Sequence, residues 1–190
     1  MASQVQICNL ALSRLGASTI TSLGDNTTEA KLCNTFFNDL ADEVMSEGSW
    51  TSTITRATLA LTTNTPAFGF DNEFQLPVDP QALKILNIDE DIPGSTTYRI
   101  EGDKLLSNND NMKIRYIARL TDSEDWDIYL QRAFIARLAS ELAYPLTGDD
   151  KKAALEFQRY EGFLSRGLAQ NGQQGSKQIV ISSDAIDVRF

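Results

Sequence analysis

One stretch, Trp126 to Leu146, constrains what this chain can fold into more than any other: WDIYLQRAFIARLASELAYPL. Trp126, Leu130, Phe134, Leu138 and Leu142 recur every fourth residue and draw an apolar stripe at helical spacing. Ala133, Ala136, Ser140 and Ala143 draw a second stripe of small side chains beside it. Small residues let another helix approach closely, so the segment is predicted to be a central helix buried on two faces. Asp122 or Ser123 can cap its start, and Glu124, Asp125 and Asp127 suit the positive end of the helix dipole. Pro145 and then Gly148 predict an end near Tyr144. A helix covered on two sides needs partners on both.

Three segments have the periodicity to supply them. From Ser3 to Leu15, the residues Val5, Cys8, Leu12 and Leu15 share a face, with Ser3 as N-cap and Gly16 as terminator. From about Thr28 to Glu47 the apolar face is Ala30, Cys33, Phe37, Leu40 and Val44, capped by Thr27 or Thr28 and ended by Gly48. From Asp149 to about Gln170, Ala153, Phe157, Tyr160, Leu164 and Leu168 mark the predicted inner face, with Asp149 or Asp150 as cap. Trp50 falls just beyond the second helix, where it can close over the core.

Between Trp50 and Asp122 the period changes from helix to strand. The Thr-rich run after Trp50 predicts one or two short strands, Glu73 to Leu76 a strand end, and Lys84 to Ile88 another strand. Tyr98–Ile100 and Lys104–Leu106 flank Glu101-Gly102-Asp103 as a hairpin. Met112, Ile114, Tyr116 and Ala118 alternate with Lys113, Arg115, Ile117 and Arg119, which predicts a strand with one apolar side. The fold class expected is therefore α+β: a helical bundle of about four long helices with a small, mainly antiparallel β-sheet inserted between helix two and the central helix, plus an extended C-terminal tail. Residues 1–170 form one domain, with helices from 1–50 and 122–170 and the β insertion at 51–121. Residues 171–190 form the tail. Its apolar residues Ile179, Ile181, Ile186, Val188 and Phe190 follow a polar Gly- and Gln-rich tether. On pattern alone they suit a strand that docks on another chain, or a tail that packs back on its own domain.

Composition narrows the chemistry. A hydrophobic content of 42% in 190 residues supports a real core. No apolar run approaches the ~18 residues of a membrane span. The start MASQVQ lacks the basic and apolar regions of a signal peptide, which predicts synthesis in the cytoplasm. Cys8 and Cys33 both fall on apolar helix faces and are expected as buried reduced thiols. With no histidine there is no Ser-His-Asp or Cys-His pair and no zinc cluster. No Gly-rich phosphate loop is present. A net charge of −9 argues against sequence-independent DNA binding, which needs a basic patch.

What remains for catalysis is a carboxylate pair of the glycosidase type. Glu101 with Asp103, the Glu124-Asp125-Asp127 group, Asp149 with Asp150, and the glutamates of the second helix have the residue type. All of them have simpler roles at turns, caps and solvated faces. Trp50, Trp126 and Tyr129 have the chemistry to stack on a sugar or base, but their spacing suits core packing. Arg132 and Arg137 on the central helix can meet a neighbouring subunit or phosphate, or form a solvated or salt-bridged face. The residues themselves thus point to no catalytic group, cofactor or metal.

Four stretches in order carry a resemblance. The first is LALSRLG, a Ser/Thr loop and a helix ending near GSW. The second is FGFDNEFQLPVD. The third is YRIEGDKLL, leading to IRYIARLTD and Trp126. The fourth is LASELAYPLTG with the helix behind it. In this order and spacing the chain resembles the tail tubular protein A family, the head-to-tail adaptors of short-tailed bacteriophages. The resemblance implies a structural virion protein, not an enzyme. It implies a homo-oligomeric ring at the head–tail junction, usually a dodecamer matching the portal protein, that seats the tail nozzle protein and lets DNA pass through its centre. It implies that the C-terminal segment, here with Ile179, Ile181, Ile186, Val188 and Phe190, inserts against the portal. Arg132 and Arg137 are then candidates for the ring interface. The alternative expectation is a virion-associated peptidoglycan or polysaccharide hydrolase using a carboxylate pair, for which the resemblance supplies no motif.

Overall fold

The first helix, α1 (Gln4–Leu15), begins where the sequence predicts. Ser3 Oγ accepts from the Gln6 N–H while the Gln6 side chain accepts from the Ser3 N–H, a reciprocal capping box. Gly16, at φ +74°, closes the helix in the left-handed conformation. The second, α2 (Thr28–Glu47), is capped by Thr27, whose hydroxyl accepts from the Ala30 N–H at 3.2 Å. The computed structural model describes residues 2–88 and 97–172. Over these the chain is a mixed α and β structure with four α-helices and two small antiparallel sheets.

The central helix differs from expectation at both ends. It runs as α3 (Ile128–Thr147), and its cap is Asp127, which accepts from the Tyr129 and Leu130 N–H groups at 2.9 Å. Asp122 instead caps a separate 3₁₀ turn, Ser123–Asp125, and Ser123 lies inside that turn. Pro145 does not end the helix. Proline removes one donor, and in the last turn little helix remains to be disrupted. The Gly148 N–H still closes on Tyr144 O at 2.9 Å, and the Thr147 hydroxyl on Ala143 O at 2.7 Å. Trp126 therefore sits outside the helix, yet it is buried with the rest of the stripe. Its ring packs on Phe37 and Phe134 at centroid distances of 5.9 and 5.0 Å.

Both stripes of α3 are buried, and α3 packs against α1, α2 and the fourth helix, α4 (Asp150–Gly172). The cap of α4 is Asp149, bonded to the Lys151 and Lys152 N–H groups. The inner face of α4 is the predicted one in part: Tyr160 is buried and Ala153 and Leu164 pack against the helical core, but the face is rotated at two positions. Phe157 and Leu168 are exposed, while Glu156, Tyr160 and Gly167 are buried. Two tertiary contacts rotate the helix this way. Glu156 turns inward to meet Arg14 of α1 at 3.1 Å. Gly167 lies against Trp50, where a Cβ would stand 2.3 Å from the ring. Gly48 contacts the same ring, with a hypothetical Cβ at 2.2 Å. Trp50 is thus sealed between two glycines, and its Nε1 donates to Val44 O at 2.8 Å.

The strands, in chain order, are β1 (Ile54–Thr58), β2 (Ala60–Leu61), β3 (Asn72–Gln75), β4 (Ala82–Ile88), β5 (Tyr98–Glu101), β6 (Lys104–Ser107) and β7 (Lys113–Ala118). The sequence predicts one sheet. The structure has two, ordered β1-β7-β4 and β2-β3-β6-β5. The chain passes from one to the other at Leu59, which is buried and bonds Met112 O. The predicted hairpin forms as β5–β6, turning at Gly102 with φ +60°.

β7 also departs from expectation. Ile114, Tyr116 and Ala118 enter a sheet core with Leu59, Phe74 and Leu105. Ile117, assigned to the polar side by its neighbours, is fully buried in the helical core. A strand held between two layers buries both faces, and alternation along one strand cannot reveal the second layer.

Candidate functional site

The predicted docking residues Ile179, Ile181, Ile186, Val188 and Phe190 lie outside the described residues. The two predicted ring-interface arginines have different environments. Arg132 is exposed on α3 and makes no ion pair among the described residues. Arg137 is only 13% exposed. Its Nε donates to Glu43 of α2 at 2.9 Å, a terminal nitrogen pairs with Glu141, and the guanidinium lies 5.6 Å from the Phe157 ring centroid. Burial pulls the Arg137 pKa down, but the two glutamates outweigh it and hold it above the ordinary arginine value. Arg137 therefore ties α2, α3 and α4 together.

The carboxylates considered for acid–base work occupy turns and caps. Glu101 and Asp103 are exposed at the hairpin. Gln75 and Lys104 hold Asp103 below the usual carboxylate range. Glu124 and Asp125 are exposed in the 3₁₀ turn, Asp127 and Asp149 are helix caps, and Asp150 is exposed. On α2, Glu47 accepts from the Tyr160 hydroxyl and Glu43 is paired with Arg137. Asp42, which the sequence does not single out, is the carboxylate that burial pushes up, against the opposing pull of Arg119. Its Oδ1 lies 2.8 Å from Arg119 Nε without a hydrogen bond of good direction. The pair lines a concavity with Phe37, Ala41 and Trp126.

Trp50 and Trp126 are core residues, and Tyr129 is half-buried. Cys8 and Cys33 are fully buried and unbridged, as expected. The Cys33 side chain, facing Cys8 across α1 and α2, together with burial pushes the Cys8 thiol up. Sequence places each cysteine on an inner face but cannot set two helices in register, so their meeting is a tertiary fact.

A further pair of residues is visible only from strand register. Arg56 of β1 stands directly opposite Arg115 of β7, whose other neighbour is Asn87 of β4. Arg56 is exposed and Arg115 half-buried. Arg115 Nε is buried and has no hydrogen-bond partner among the described residues. Alternation marks Arg115 as facing away from the sheet core, but nothing local says that a second arginine faces it.

The sequence matches no protein-family model and no curated protein.

Proposed function

We propose that this chain is a structural head-to-tail adaptor, forming a ring between a phage portal and the tail nozzle with a passage for DNA through its centre. In this reading the four helices form a bundle that carries the two sheets as an insertion between the second and central helices. The observation that carries it is where the resemblance falls. Ala11, Leu12 and Leu15 of the first stretch, and Gly48 with Trp50 at its end, build the helical core. Phe74 and Leu76 of the second, and Leu105 with Ile114 and Tyr116 of the third, build the sheet core. Leu138, Ala139 and Leu142 of the fourth are buried in α3. The likeness thus lies in residues that specify the architecture.

The mechanism is assembly. A closed ring of identical subunits uses a heterologous contact, which needs two different faces on each subunit. Arg132 is the exposed α3 residue proposed for it, and Arg137 supports that surface from within. The C-terminal segment orders on the portal, at a cost of roughly 1–2 kcal/mol per residue that contacts of Ile179, Ile181, Ile186, Val188 and Phe190 must exceed.

Native mass of the purified protein, alone and mixed with a portal ring, tests the reading. Uptake in a fixed ring ratio is expected, and a protein that ignores the portal overturns it. Deleting Gln178 to Phe190 is expected to leave the helical circular dichroism unchanged and to abolish portal uptake. Undiminished uptake would remove the tail from the mechanism.

A further inference from the structure

Arg56 and Arg115 share one face of the β1-β7-β4 sheet at directly opposed positions. Like charges placed so repel each other. Among the described residues neither holds a carboxylate and Arg115 Nε has no acceptor, and a buried donor left unmade costs more than a typical bond returns. The other half-buried arginines are answered within the chain: Arg14 by Glu156, Arg119 by Asp42, and Arg137 by Glu43 and Glu141.

An opposite imbalance lies elsewhere. Glu124 and Asp125 are exposed in the 3₁₀ turn and make no ion pair among the described residues. Asp125 borders a concavity that also holds exposed Asp79, and the cation beside it, Arg119, is already engaged by Asp42.

We propose that Arg56 and Arg115 are a docking site for carboxylates of a second copy of this chain, and that Glu124 and Asp125 supply them. The occupant follows from charge. At a net charge of −9, two copies repel unless the contact joins opposite patches, and a basic pair on a sheet face against an acidic turn is such a contact. Guanidinium groups also bind carboxylates in a paired, directional way that suits a fixed subunit angle. Because the two patches differ, each dimer leaves one of each unfilled, so the contact can propagate into a ring. The inference rests on the adaptor reading only for ring closure.

Sedimentation velocity of the full chain, from micromolar to millimolar concentration, tests the contact. At low salt the protein is expected to self-associate, and added salt weakens the association. Arg56→Glu, at an exposed position, is expected to weaken it at least about tenfold. The pairs Arg56→Glu with Arg115→Glu, and Glu124→Lys with Asp125→Lys, are each expected to be monomeric, and mixing the two proteins to restore association. Circular dichroism checks that each variant is folded. A wild-type protein that stays monomeric at low salt, an Arg56→Glu variant that associates equally well, or a mixture without rescue would overturn the proposal. Association that appears only with duplex DNA would overturn it in favour of a nucleic-acid occupant. Portal uptake measured on the same proteins separates the two readings. Uptake without self-association defeats this contact alone, and self-association without uptake defeats the adaptor alone.

Discussion

The helical core and the sheet core differ in how they treat charge. Between the helices, charged groups are drawn inward and answered on the spot. Glu156, 3% exposed, lies between Arg14 and Arg159. Arg137 lies between Glu43 and Glu141, and Tyr160 donates to Glu47. In the sheet core the buried polar groups are hydroxyls such as Ser107, and Arg56 and Arg115, on the far face, hold no carboxylate among the described residues. Charged seams fix how helices pack because a displaced partner strands a desolvated charge. The sheets are positioned mainly by apolar packing and backbone pairing, with single polar ties to α2 from Lys84 to Ser46 O and from Arg119 to Asp42. The buried charges of the helical layer are answered within the chain, whereas half-buried Arg115 of the sheet layer is not answered among the described residues.

The sharpest way to break this comparison is at Trp50, which closes the helical core. Trp50→Ala should cost about 4 kcal/mol, from lost burial plus the cavity between Gly48 and Gly167. Gly167→Ala should cost about 3 kcal/mol by the opposite route, since its Cβ overlaps a rigid ring enclosed on the other side by Gly48. Urea unfolding measures both. Hydrogen exchange should show protection lost first in α1, α3 and α4. A Gly167→Ala variant within half a kcal/mol of the parent would mean that Trp50 is not confined as described.

The corresponding probe of the sheet core is Leu105→Ala, expected to cost about 2–3 kcal/mol. Leu105 lies on β6, opposite Phe74 and Ile100, and is fully buried. The loss should appear as faster exchange in β3, β5 and β6 with α3 unaffected. Equal acceleration in α3 would show that β7, which buries Ile117 in one core and Tyr116 in the other, couples them into one cooperative unit.

Much of the helical layer was legible because its signals are local. Ser3, Thr27, Gly16 and Gly48 act at the helix ends where sequence puts them, and both α3 stripes are buried. The failures share a cause. Phe157 and Leu168 read as inward on α4, but Glu156 and Gly167 take the inner face because Arg14 and Trp50, more than a hundred residues away in the chain, meet them there. Ile117 read as solvent-facing because a second layer is invisible from one strand. Of the candidate site, Arg137 was legible as either an interface or a salt bridge, and the choice depended on Glu43 of another helix. Arg56 and Arg115 were illegible as a pair, since register between strands about sixty residues apart is not written in either strand.

The smallest expected effect sharpens the comparison through two tyrosines, one in each core. Burial raises Tyr160 above its ordinary value, and the bond to Glu47 raises it further. Burial alone raises Tyr116. For both, the folded pKa exceeds the unfolded one, so above the ordinary tyrosine value of about 10 the unfolded chain loses protons that the native state keeps. The stabilisation is fully present below that pH and is lost as pH rises through the folded pKa, by at most about 1.4 kcal/mol per pH unit for each tyrosine. Melting temperature should therefore fall between about pH 9 and 11, and less steeply in Tyr160→Phe and in Tyr116→Phe. At neutral pH Tyr160→Phe should cost about 1 kcal/mol, because Glu47 loses its donor, whereas Tyr116→Phe should be nearly neutral. Equal losses for the two at neutral pH would contradict the contrast between a charged helical seam and an apolar sheet core.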